Sequence, residues 1–170
     1  MRILSASLVV LAALSLPAAA HVTLETQQAV AGSTYKAVLR VGHGCEGTPM
    51  HTIRVRVPDG MSGVKPMPKP GWQLSTVKGK LDQPIDDGHG GKITEGVREI
   101  AWTGGKLLDE HYDEFVFRGQ LPNKPGETIY IPVVQECEKG VHRWIEIPAA
   151  GKSPSDYKEP APGLRLLPKP

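Results

Sequence analysis

Short runs of alternating apolar and polar side chains, cut apart by glycine and proline turns, constrain this chain more than any other feature. Tyr35, Ala37, Leu39 and Val41 enclose Lys36 and Arg40, and Ile53, Val55 and Val57 enclose Arg54 and Arg56. Phe115 with Phe117, and Ile129, Ile131 and Val133, repeat the spacing. A side-chain period of two belongs to a strand with one face on a core and the other in water. Further strands are predicted at residues 72–77, 93–102 and 141–147. Turn chemistry separates them at Pro58-Asp59-Gly60, Asp87-Gly88-His89-Gly90-Gly91, Gly104-Gly105 and residues 122–126. With 19 Gly and 16 Pro in 170 residues, and no apolar stripe at helical spacing, long helices are disfavoured. The expected fold class is all-β, an antiparallel two-sheet sandwich of immunoglobulin-like type.

Residues 1–20 read differently. Met1-Arg2 gives a short positive start, residues 3–16 an apolar run, and Pro17-Ala18-Ala19-Ala20 a small-residue end, the pattern of a secretory signal peptide cleaved after Ala20. The run is too short for a membrane anchor, which needs about 20 apolar residues. No second apolar stretch follows, so the expected product is exported, periplasmic or secreted, with no membrane span. Residues 21–150 are expected to form one sandwich domain, and residues 151–170 a Pro-rich tail that lies against it through Leu164, Leu166 and Leu167. Lys and Arg number 20 against 18 Asp and Glu, a net charge of +2. That balance argues against a nucleic-acid partner.

Export makes the two cysteines a pair. In an oxidising compartment Cys45 and Cys137 are expected to form a disulfide, which ties Glu46 to the segment leading to His142 and Trp144. Cleavage after Ala20 would leave His21 first, a residue that then offers both a free amine and an imidazole Nδ1 to one metal ion. Copper(II) suits nitrogen and oxygen ligation in a tetragonal plane and heads the divalent affinity order.

His21-Val22-Thr23-Leu24 at the mature start, Glu46 in the loop after the next strand, and Trp144 ahead of an apolar-Glu-apolar strand together resemble the YcnI-like copper-binding domains. The resemblance covers nearly the whole mature chain. It implies a fibronectin III or immunoglobulin-like sandwich that holds copper(II) in a mono-histidine brace: His21 giving amine and imidazole, Glu46 a carboxylate, and Trp144 flanking the metal. It also implies copper trafficking or buffering, with a membrane copper transporter or another periplasmic copper protein as partner.

Each assignment has a structural alternative: Glu46 as a solvated loop carboxylate, Trp144 as core packing. His142, two residues before Trp144 on the same strand face, is the best substitute ligand. The thioethers of Met50, Met61 and Met67 are a weaker option. Gly-x-Ser-x-Gly, His-Glu-x-x-His and phosphate-cradling loops are absent from the sequence, so no enzyme is expected. Two rival classes stand beside the copper carrier. One is a copper-dependent oxidative enzyme of the polysaccharide monooxygenase kind, which completes its brace with a second histidine; the other is a metal-free structural or adhesion sandwich.

Overall fold

The structure is a computed structural model and describes residues 21–170; the expected signal peptide lies outside the described residues. In chain order the strands are β1 (Thr23–Leu24), β2 (Gln28–Val30), β3 (Thr34–Val41), β4 (Met50–Arg56), β5 (Ser62–Pro66) and β6 (Gln73–Asp86). They continue with β7 (Lys92–Leu107), β8 (Asp113–Gln120), β9 (Thr128–Tyr130), β10 (Val133–Cys137), β11 (Val141–Trp144) and β12 (Gly163–Leu167). A single 3-10 turn, Pro154–Asp156, is the one helical element among the described residues.

Two larger sheets, ordered β1-β3-β8-β5 and β11-β10-β4-β7-β6, are antiparallel throughout. A third, β2-β12-β9, includes the parallel pair β2–β12. The alternation decides what meets between the larger sheets. Ala37, Leu39, Phe115 and Phe117 come from one, Ile53, Val55, Ile100 and Trp102 from the other, all essentially buried. Trp102 and Trp72 both set their ring edges against Phe115, at 5.6 and 4.9 Å between centroids, an arrangement favoured by the ring quadrupole. Gly105 is what admits Trp72: a Cβ there would fall 2.1 Å from the indole ring.

Residues 129–133 are not one strand. Pro132 has no N–H for a ladder, and the run divides into β9 and β10, which join different sheets. The strands expected at 72–77 and 93–102 are the ends of a longer hairpin, β6–β7. Its turn is closed by Asp86 and Asp87 side chains accepting from Gly88, His89 and Gly91 N–H groups.

The last twenty residues are built into the domain. β12 pairs with both β2 and β9, and alternate residues Leu164 and Leu166 are fully buried, so residue 150 marks no structural boundary. Met50 and Met61 are likewise core residues, which removes their thioethers from reach of a surface metal. Among the described residues no helix is long and apolar enough to cross a membrane.

Candidate metal site

Two of the predicted residues, His21 and Trp144, meet at the edge strand β11. Val22 and Leu24 are buried on either side of Thr23, and pairing of Thr23 with Arg40 and Leu24 with Leu39 fixes the start of the described chain to β3. This anchoring sets the half-buried His21 ring against Trp144, with 5.2 Å between centroids and the planes at 64°. On β11 itself, His142 stacks on Trp144 at 5.1 Å and 29°. His43 meets His142 edge-on at 6.2 Å. His21, Trp144, His142 and His43 thus form a row of rings.

Trp144 is only 5 % exposed, and its indole N–H donates to Gln135 Oε1 at 3.2 Å. Gln135, 1 % exposed, uses its amide nitrogen on the carbonyls of His43 (2.7 Å) and Gly44 (3.3 Å). One buried amide therefore joins the tryptophan to the loop that carries Glu46. Nothing in the sequence marked Gln135; only the inward direction of a polar side chain on β10 reveals it. We expect Gln135→Leu to lower stability by about 2–3 kcal/mol, because it strands an indole N–H and a carbonyl in the interior. Urea unfolding checks this, and a loss under about 0.5 kcal/mol would mean water replaces the amide.

Glu46 sits in a two-residue turn. Cys45 and Thr48 exchange both backbone hydrogen bonds (3.1 and 2.8 Å), and Glu46 and Gly47 both have positive φ, 50° and 73°. Glu46 is the one non-glycine residue with positive φ among those described, in a conformation that costs of order 1 kcal/mol. The disulfide Cys45–Cys137 is present, with Cα atoms 5.7 Å apart, and moors this turn to the end of β10. The Glu46 side chain lies exposed beside Gly140, where a Cβ would come 3.1 Å from its Oε1. Gly140 and Trp144 are four residues apart, roughly 13 Å along an extended strand. The structure thus brings His21 to Trp144, and places Glu46 toward the other end of β11.

Glu159, which sequence reasoning also passed over, completes the surroundings. Its Oε1 accepts from His142 Nδ1 at 2.7 Å and its Oε2 from the Arg143 backbone N–H at 2.9 Å. Burial pushes the Glu159 carboxyl up, but these hydrogen bonds and the charges of His142 and Lys158 outweigh it and hold the group below the ordinary carboxylate value. Among the described residues no three His, Cys, Asp or Glu side chains gather closely enough to hold a metal ion. A brace does not need three side chains, since one N-terminal histidine supplies two donors. His21 also lines an open groove of about 850 Å³, shared with Thr23, Gln28, Tyr130, Tyr157 and Arg165.

A family model described as "Domain of unknown function (DUF1775)" matches residues 21–166. Among solved structures, an uncharacterized protein from Nocardia farcinica, whose crystal structure reveals an immunoglobulin-like fold, is 24% identical with a TM-score of 0.65. That match covers 86% of this chain and 98% of the other. A cohesin module from a Clostridium perfringens ATCC13124 family 33 glycoside hydrolase matches at 10% identity and a TM-score of 0.48, over 88% of this chain and 97% of that one. No curated protein matches the chain. The immunoglobulin-like sandwich expected from alternation is the fold these strands adopt.

Proposed function

The chain belongs to the DUF1775 family, that of YcnI-like domains, and on that premise we propose that it is an exported copper(II)-binding protein of copper trafficking or buffering. Once Ala20 is removed, His21 offers amine and imidazole nitrogens, and Glu46 a carboxylate oxygen, to the same ion. The observation that carries the reading is the ring of His21 held edge-on against the buried Trp144. The first residue of the processed chain is thereby ordered at one place on the surface. Two further facts support it: the family match begins at His21, and the disulfide suits an oxidising compartment such as the periplasm or the extracellular space.

The role of each group follows from its chemistry. Copper(II) as cargo takes nitrogen and oxygen donors; the indole of Trp144, whose nitrogen carries a proton and gives no lone pair, forms an apolar wall beside it. Glu46 is exposed on a disulfide-tethered turn toward the other end of β11, so in this reading the turn shifts together with its side chain to bring the carboxylate to the ion. The delivery partner in this reading is a membrane copper transporter or another periplasmic copper protein, which meets the exposed side of His21. Comparison of Glu46→Gln with His142→Gln tests the oxygen donor. Loss of copper affinity in the first supports the carboxylate, while loss in the second alone would assign that position to His142.

Copper in this reading is held and handed on. No turnover on polysaccharide with ascorbate and oxygen is expected above that of free copper, and robust turnover would instead favour the oxidative enzyme. Trp144→Phe is expected to keep copper affinity within about tenfold while abolishing most of the copper-induced quenching of tryptophan emission. Quenching that persists unchanged in this variant would place the ion away from Trp144.

A further inference from the structure

His43 and His142 share a feature that the brace does not use. His142 Nδ1 lies 2.7 Å from Glu159 Oε1, while Glu159 Oε2 accepts from the Arg143 backbone N–H, and a carboxylate oxygen placed so accepts, so that nitrogen carries the hydrogen. His43 Nδ1 lies against the Gly44 carbonyl, which also only accepts. In its neutral form each ring is therefore fixed as the tautomer whose Nε2 bears a lone pair. Donation of one ring N–H to a carboxylate or a backbone carbonyl is how metal-binding histidines are oriented and made more basic. The rings are neighbours, 6.2 Å between centroids, and each side chain is about a third exposed or less. Each comes from a restrained segment: His142 from β11, and His43 from the loop whose carbonyls Gln135 holds.

We propose that His43 and His142 form a second metal site, separate from the brace, that takes a monovalent d10 ion, copper(I), between their Nε2 atoms. The spacing selects the ion. Two metal–nitrogen bonds of about 2.0 Å, with about 1.2 Å from each nitrogen to its ring centre, separate linearly opposed imidazoles by about 6.4 Å and a tetrahedral pair by about 5.2 Å. The observed 6.2 Å matches the near-linear case. Asp109 and Glu159 lie on the Nδ1 sides of the rings, 3.9 Å from His43 and 2.7 Å from His142; among the described residues no group of three His, Cys, Asp or Glu is arranged to hold an ion, and two-coordinate ligation satisfies copper(I) where zinc(II) or copper(II) would call for more donors. Glu159 acts here as a positioning residue through His142.

Silver(I), a redox-silent d10 ion, is the probe, titrated into the folded chain in which a Gly-Ser-rich extension keeps the His21 nitrogen in a peptide bond. The brace cannot form in that protein, so failure of either site is read separately. One equivalent is expected to bind, with the Nε2 resonances of both His43 and His142 shifting in nitrogen-detected NMR. His43→Gln and His142→Gln should each weaken binding at least about tenfold, and Glu159→Gln by about tenfold while moving the His142 ring resonances. Circular dichroism and the unfolding midpoint verify that each variant is folded. Absence of silver binding in the extended protein, or binding that leaves both Nε2 resonances unmoved, would overturn the proposal.

Discussion

Protein that begins at His21 is expected to bind one copper(II) at least about a hundredfold more tightly than the same chain carrying a Gly-Ser-rich extension, because acylation converts an amine donor into an amide. The rest of the molecule is identical in the two forms. Val22 and Leu24 remain buried and the His21 ring remains against Trp144, so the difference isolates the terminal nitrogen. Electron paramagnetic resonance should give different spectra for the two forms, with hyperfine coupling from the amine nitrogen only in the processed one. Affinity should also fall as pH drops, since amine and imidazole must both shed protons to bind. Equal affinities and equal spectra for the two proteins would sink the brace, and copper would then have to be sought at side chains alone.

Replacing both cysteines, as Cys45→Ala with Cys137→Ala, is expected to lower stability by about 4–5 kcal/mol. The bridge spans 92 residues of sequence, and in the chain-entropy treatment a closed loop of that size removes freedom from the unfolded chain to about that extent. Both cysteines are also core residues, 1 % and 7 % exposed, so alanine leaves some packing unfilled. A second effect is local. The turn bearing Glu46 retains its Cys45–Thr48 hydrogen bonds and the Thr48 hydroxyl contacts to Cys45 and Lys139, but loses its covalent mooring to β10. Copper affinity should therefore fall in a variant that still folds. Urea unfolding gives the stability, and a change below about 1 kcal/mol would mean that the unfolded chain is already compact across this loop.

The alternation of β3, β4 and β8 is a local code: a strand with one buried face must place every second residue inward, so the all-β class and most of the core could be read from residue order. The disulfide was legible for a similar reason, two cysteines behind an expected export signal, and His21 stands out in the sequence because the expected cleavage would change what its nitrogen is. Other features depend on which strands become neighbours. The leucines of residues 164–167 can be expected to lie against the sandwich, but that they do so as a strand between β2 and β9 depends on pairing. Gln135 looks like any polar residue on a strand until β10 lies between β4 and β11 and turns it inward to the Trp144 indole and the His43 carbonyl. His43 and Glu159, 116 positions apart in sequence, both come to His142 by pairing and packing that no run of residues encodes. Periodicity therefore reveals what each residue faces within its own strand. What it meets across the fold is set by long-range strand order, which the tertiary structure alone decided.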